Sequence, residues 1–158
     1  MSQIVDLRDL FAAPEQYLGQ QVTVQGWIRN HRKQKTFGFI SFYDGTVTRD
    51  MQIVYDDTLP EYAEVQRWFV GSAITVTGAL VESQGKNQSL ELHAAALKLE
   101  GASTEDYPLQ PKKHSLEYLR EIAYLRPRTR LFQAVFRVRN LAAAAIHDYF
   151  QQRGYVYV

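Results

Sequence analysis

Apolar and polar residues alternate with a period of two along five stretches of the chain, and this alternation predicts half-buried β-strands. In the first stretch, Val22, Val24 and Ile28 fall on one side of the strand. The predicted strands cover residues 22–28, 37–43, 51–55, 73–81 and 89–94. Gly45, after the second strand, and Gly78, within the fourth, are typical of a turn and a bend.

A helical pattern interrupts the strands between the third and the fourth. Residues 59–70 lack two-residue alternation and place Tyr62, Val65 and Phe69 at helical spacing behind Pro60. Three strands, a helix and two strands suit a small closed barrel, and the barrel of this kind that binds oligonucleotides is the OB-fold. The sequence therefore predicts a mainly β fold, a five-stranded OB-fold barrel with an inserted helix.

The second part of the chain changes to a hinge followed by a long C-terminal α-helix. Residues 101–115 contain two prolines among small polar residues, as a hinge does. From Arg130 to Arg153 apolar residues recur at steps of three and four, in a stripe wider than a barrel surface normally covers. Its main row comprises Leu131, Val135, Val138, Ala142, Ala145 and Tyr149, and a second row comprises Phe132, Phe136, Ile146 and Phe150. Gly154 is expected to end the helix, and residues 155–158 are typical of a strand.

Composition narrows the class of protein. A chain of 158 residues is long enough for one well-buried domain with an appendage. It has no cysteine for a disulfide or a thiolate metal site, and its 4 histidines are scattered rather than spaced as metal ligands. The sequence shows no secretory leader and no apolar run long enough to cross a bilayer, so we expect a cytoplasmic protein without a membrane partner.

The charge balance supports a nucleic-acid partner only locally. Lysine and arginine number 18 against 17 acidic residues, which is not the basic excess typical of proteins that neutralise phosphates. A cluster of basic residues nevertheless lies near the second predicted strand: Arg29, His31, Arg32, Lys33 and Lys35. Such a cluster is typical of phosphate contacts, but also of a solvated loop.

Alternation also predicts one exposed face on the barrel. If Ile40 and Phe42 fill the core, Phe39 points outward from the second strand, and Gln52 and Glu91 point outward from the third and fifth. Single-stranded RNA is bound by aromatic rings for stacking, polar groups for base edges and cations for phosphates. A phenylalanine that covers a loop beside solvated polar residues gives the same pattern, and alternation alone favours this simpler interpretation.

Two longer segments carry a family resemblance. They are GWIRNHRKQKTFGFISFYDG, residues 26–45, and YPLQPKKHSLEYLREIAYLRPRT, residues 107–129. On these segments the chain resembles the bacterial asparaginyl-tRNA synthetases, which are class II enzymes, and the resemblance extends over essentially all of its length. Residues 125–140 and 147–158 look like the entry to the first class II signature, at which the chain ends.

The resemblance implies that four residues read the anticodon of an asparagine-specific tRNA. Phe39 matches a family phenylalanine that stacks on the middle anticodon base, and Arg32 and Gln52 match an arginine and a glutamine beside that base. Glu91 matches a carboxylate near the first anticodon base. The loop of residues 82–88 is expected to help read the third base.

The resemblance further implies an asparagine–tRNA ligase in the full-length protein, with ATP and Mg²⁺ as cofactors and a homodimer formed through residues 130–158. The chain itself is expected to hold no catalytic, cofactor or metal site, and to be inactive, because the second and third class II signatures are absent from it. The implied domains are an anticodon-binding barrel at 1–103, a hinge at 104–128 and an incomplete start of the catalytic domain at 129–158. The alternatives are an aspartyl-type ligase fragment, a stand-alone OB-fold RNA-binding module and a pure dimerisation appendage.

Overall fold

The structure, a computed structural model, describes residues 4–83, 85 and 88–158. The chain divides into two compact units, Met1–Lys113 and His114–Val158. The first unit is built on a closed five-stranded barrel with the strand order β1-β2-β3-β5-β4, so the predicted barrel is confirmed. Its strands are β1 (Gln21–Lys33), β2 (Phe37–Tyr43), β3 (Met51–Asp56), β4 (Ala73–Glu82) and β5 (Leu90–Gly101).

The inward side chains of all five strands form one hydrophobic core. Neighbouring strands pair antiparallel except β3 and β5, which pair parallel and close the barrel. The buried residues from the strands include Val22, Val24, Ile28, Ile40, Phe42, Met51, Ile53, Ile74, Val76, Leu80 and Leu92. Helix α1 (Leu7–Ala12) adds Leu7 and Leu10 to this core. Burial of this apolar surface is the main stabilising term, at roughly 25 cal/mol per Å² removed from water.

Three of the predicted element lengths are wrong. β1 continues past residue 28 to Lys33, because its end pairs with β2. β5 continues past residue 94 to Gly101, because β4 pairs with it over that whole length. The predicted helix at 59–70 is reduced to α2 (Tyr62–Val65), because Leu59 and Trp68 are buried from irregular backbone on either side of it, while Phe69 is exposed.

Both glycines singled out in the sequence occupy special positions. Gly45 follows β2 with a φ of +85°, a backbone conformation that favours glycine. The β4–β5 register shifts between Thr77 and Gly78. A Cβ on Gly78 would lie 2.2 Å from the carbonyl oxygen of His93, so only glycine lets the two strands approach this closely.

The second unit is helical. It contains α3 (Leu116–Glu121), a 3₁₀ turn at Arg126–Arg128 and α4 (Arg130–Gln151), which confirms the predicted long helix. Hydroxyl side chains cap both helices: Ser115 Oγ accepts from the Tyr118 N–H at 3.2 Å, and Thr129 Oγ1 accepts from the Phe132 N–H at 3.3 Å.

Residues 155–158, whose pattern is typical of a strand with no sheet to join, form no strand in this structure. These residues carry no strand hydrogen bonds and their side chains are exposed. A strand needs a neighbouring strand for its backbone N–H and C=O groups, and the pattern of four residues could not say whether one is present. Within the residues described, no helix is long and apolar enough to span a bilayer.

A partly buried series of hydrogen bonds connects β1 and β3 with the C-terminal end of α2. His31 Nδ1 lies 3.3 Å from the carbonyl oxygen of Trp68, and its Nε2 lies 2.7 Å from the Tyr55 hydroxyl. A carbonyl only accepts, so Nδ1 carries the proton and Nε2 accepts from Tyr55. The Tyr55 oxygen in turn accepts from Gln66 Nε2 at 3.2 Å. Each member is satisfied only while His31 is neutral.

Burial shifts the pKa values of His31 and Tyr55, two members of this hydrogen-bonded series. It lowers the pKa of His31 to about 4; the charge of Lys33 acts in the same direction, and the hydrogen bond with the Trp68 carbonyl opposes both. Burial likewise raises the pKa of Tyr55 to about 12. Both shifts favour the neutral side chains that the hydrogen bonds require.

We expect acid to destabilise the barrel through His31. The unfolded chain takes up this proton near pH 6.5, before the folded chain does, so the free energy of unfolding falls as the pH drops from about 6.5 towards 4. The slope from this group approaches 1.4 kcal/mol per pH unit. Urea unfolding at several pH values should show a shallower fall for His31→Gln.

The matched control is His93→Gln, which changes an exposed histidine of the same barrel. That variant should keep the steep pH dependence of the original protein. Equal slopes for His31→Gln and the original protein would contradict the role given to His31.

Candidate nucleic-acid interface

One extra residue in β1 directs the end of that strand towards a common outer face. Ile28 pairs with Phe42, but the next register pair is Asn30 with Ser41, so Arg29 is a bulge residue. Without the bulge, alternation from Ile28 would turn Asn30 inward. With it, Asn30 and Arg32 share the outward face of Ser41 and Phe39.

Phe39 and Arg32 meet across the β1–β2 pair. Phe39 is half-buried and points outward, as the alternation predicts, while Ile40 is fully buried. The Arg32 guanidinium carbon lies 5.1 Å from the centre of the Phe39 ring, within the range of a cation–π contact. Phe37 packs edge-on against the same ring, at 5.4 Å between centroids. An aromatic ring and a cation thus stand side by side on the face.

Gln52 and Glu91 continue this face onto the neighbouring strands. They are register partners in the parallel β3–β5 pair. Arg32 Nη2 donates to Gln52 Oε1 at 3.0 Å, and Gln52 Nε2 donates to Glu91 Oε2 at 3.4 Å. The structure therefore brings all four residues named from the sequence into one connected group, with the Gln52 amide oriented by a donor on one side and an acceptor on the other.

Glu91 also joins the face to the segment before β5. Its Oε2 accepts from Ser83 Oγ at 3.0 Å and from Gln88 Nε2 at 3.3 Å, and its Oε1 lies 3.0 Å from His93 Nε2. These contacts hold a carboxylate whose side chain is only 16% exposed. Of the loop expected to read a third base, residues 84, 86 and 87 lie outside the described residues.

A cavity of about 180 Å³ opens beside this group, and Arg32 and Gln52 are the two of its four residues that line it. Its lining is polar: Asn30, Arg32, Ser41, Asp50, Gln52 and Gln88. Three of these, Asn30, Ser41 and Asp50, were missed in the sequence, and Gln88 was named only as part of the loop of residues 82–88. Ser41 could have been found, because it lies two residues after Phe39 and therefore on the same face, whereas Asp50 precedes β3 and follows no strand pattern.

The basic cluster named from the sequence is divided rather than gathered on one surface. Arg29 Nε pairs with Asp50 Oδ1 at 3.0 Å and its guanidinium lies 3.9 Å from the centre of the Tyr43 ring. His31 points into the barrel. Lys33 Nζ lies 5.8 Å from the centre of the Phe69 ring, which belongs to the segment after α2. Arg32 is the member of the cluster that lines the cavity.

This arrangement suits a single-stranded nucleic acid. An aromatic ring can stack on a base, hydroxyl, amide and carboxylate groups can bond to base edges, and an arginine can contact a phosphate or a base. In the part of the chain that the structure describes, no three histidine, aspartate or glutamate side chains gather as they would to hold a metal ion. Fold and face together define a nucleic-acid-binding OB-fold domain.

Comparison with known proteins identifies the family. Residues 22–100 match the family model of the tRNA anticodon type, described as an OB-fold nucleic acid binding domain, and the chain belongs to this family. The asparagine–tRNA ligase of Acetivibrio thermocellus is 51% identical over 153 residues, and that of Acholeplasma laidlawii is 49% identical over 153 residues. The resemblance to asparaginyl-tRNA synthetases is thus confirmed.

These matches extend beyond the barrel. Each alignment covers 96% of this chain, helix α4 included, and favours part of a ligase over a stand-alone module. The chain spans about a third, 33%, of the length of these curated relatives.

Solved structures agree on the fold. The asparaginyl-tRNA synthetase of Pyrococcus horikoshii, complexed with asparaginyl-adenylate, superposes with a TM-score of 0.84 at 21% identity, over 100% of this chain and 36% of that one. A putative aspartyl-tRNA synthetase from Leishmania major Friedlin also gives 0.84, at 14% identity, over 99% of this chain and 34% of the other. At these identities the superpositions establish the shared fold alone.

Proposed function

We propose that the outer face of β1, β2, β3 and β5 binds the anticodon loop of an asparagine-specific tRNA. The observation that carries this proposal is the position of Phe39 beside a polar cavity lined by Arg32 and Gln52. A base stacked on this ring would present its edge to hydrogen-bonding side chains, which is how proteins read unpaired RNA bases. The choice of asparagine tRNA as the ligand rests on the relatives, which are named asparagine–tRNA ligases.

Each of the four residues has a distinct proposed role. Phe39 stacks on the middle base of the anticodon, and Gln52 bonds to the edge of that base. Arg32, which lies over the ring and donates to Gln52, moves to contact the RNA when the base enters. Glu91 holds the Gln52 amide and the Gln88 side chain and faces the neighbouring first base.

The full-length protein is proposed to be an asparagine–tRNA ligase that uses ATP and Mg²⁺. Its relatives carry that name and are about three times as long as this chain. We place the ATP and amino-acid sites in the part of these longer relatives that the chain does not span. This chain alone is then an RNA-binding part without ligase activity.

We propose a separate role for each of the predicted domains. Residues 1–103 would read the anticodon, 104–128 would link the two parts, and 129–158 would begin the catalytic domain. We propose a cytoplasmic location for the enzyme, as its proposed role in protein synthesis suggests.

Replacing Phe39 with alanine should weaken binding of an asparagine anticodon stem-loop by about 1 to 3 kcal/mol, because the stacking surface is lost. Fluorescence anisotropy at one stated salt concentration measures this, since phosphate contacts change with salt. Phe39→Tyr should retain most of the affinity because it keeps the ring. Phe69→Ala, which removes an aromatic ring that is 41% exposed outside the cavity, should bind normally. Unchanged affinity in Phe39→Ala would remove this residue from the site.

The apolar stripe of α4 supports a homodimer. Val138 and Leu141 are 68% and 67% exposed, and several neighbouring apolar side chains of the helix are exposed as well. A helix face of this kind is normally buried against another surface. We propose that residues 130–158 of a second copy cover it, in a self-complementary contact of two-fold symmetry.

Val138→Lys should therefore weaken self-association and lower the average molar mass in solution, because it places a charge in the proposed contact. Sedimentation over a range of concentrations should show self-association of the original chain and a monomer for the variant. Asn140→Lys, about 200° further around the same helix, is the matched control and should associate normally. A monomeric original chain at high concentration would contradict the dimer.

A further inference from the structure

Three register partners form a polar row across the floor of the cavity. Asn30 of β1, Ser41 of β2 and Gln52 of β3 lie side by side on adjacent strands. Phe39 lies two residues before Ser41 on the same face of β2. The edge of a base stacked on the Phe39 ring would therefore lie within reach of the polar row. The family resemblance gives no role to Ser41.

The hydroxyl proton of Ser41 is donated to Asp50. Ser41 Oγ donates to Asp50 Oδ2 at 2.7 Å, and Arg29 pairs with the other carboxylate oxygen at 3.0 Å. The Asp50 side chain is only 10% exposed and that of Arg29 19%. A carboxylate oxygen accepts hydrogen bonds, so Ser41 is the donor in this bond and its proton points towards Asp50.

A serine hydroxyl has one proton and two lone pairs. With its proton on Asp50, Ser41 presents only lone pairs to the cavity. It can therefore accept a hydrogen bond from a ligand N–H, and it meets a ligand lone pair with repulsion.

We propose that Ser41, oriented by Asp50, is a specificity-determining residue that selects a base carrying an N–H on its Watson–Crick edge. This inference rests on the proposed function, in which the middle anticodon base stacks on Phe39. That base is uridine in asparagine tRNA, and its N3–H is a donor. Cytidine, similar in shape, has a lone pair at N3 and is disfavoured by Ser41.

The test compares two asparagine anticodon stem-loops that differ only in a middle uridine or cytidine. The 158-residue chain should bind the uridine loop more tightly at a fixed salt concentration. Ser41→Ala should reduce that preference by about fivefold, the effect of one hydrogen bond. Ser89→Ala, which changes an exposed serine outside the cavity lining, should keep it.

Asp50→Asn gives a sharper outcome. The asparagine oxygen can still accept from Arg29, while its amide group donates to Ser41 and releases the serine proton towards the cavity. The preference for uridine should then shrink or reverse, whereas a purely structural role would weaken both loops equally. Circular dichroism and thermal melting show whether Asp50→Asn is folded. If it is not folded, the test rests on Ser41→Ala, which leaves the Arg29–Asp50 pair intact.

The outcomes separate this inference from the function on which it rests. If the original chain prefers the uridine loop and Ser41→Ala keeps the full preference, Ser41 is not the selecting residue and anticodon binding stands. If the original chain binds neither loop, both the anticodon function and the role of Ser41 are overturned.

Discussion

The bulge at Arg29 is the constraint on which the proposed binding face depends. A strand has a side-chain period of two, so one inserted residue exchanges inside and outside for everything that follows. It turns His31 into the barrel, where Tyr55 and Trp68 hold it, and it turns Arg32 outward over Phe39. The same insertion leaves Arg29 beside Asp50, where it supports the carboxylate that orients Ser41.

Hydrogen bonds then connect the face into one preorganised network. From Gln52 they run to Glu91, and from there to Ser83 and Gln88. A network of this kind holds donors and acceptors in fixed directions before a ligand arrives, which favours specificity because a mismatched base leaves buried polar groups unpaired. With a net charge of +1, the chain has little general attraction for phosphates, so recognition depends on such local groups.

Much of the barrel follows from the sequence, because alternation records which side of each strand is buried. Phe39 and Gln52 were placed outward on that basis, and the structure agrees. Long-range partners leave no such record: the pairing of Arg29 with Asp50 and the bulge that permits it depend on strands that meet only in the folded barrel. The helix at 59–70 was overpredicted for a related reason, since Leu59 and Trp68 are buried from irregular backbone on either side of the short helix rather than along one helical face.

The most direct test of the account maps the RNA contact on the chain itself. Backbone amide NMR signals would be followed while an asparagine anticodon stem-loop is added at a fixed salt concentration. The account predicts that the largest changes fall on Phe39, Ser41, Gln52 and Glu91, with little change at Thr75 and Lys98 on another part of the barrel. Changes concentrated outside the β1–β2–β3–β5 face, or none at saturating RNA, would contradict it.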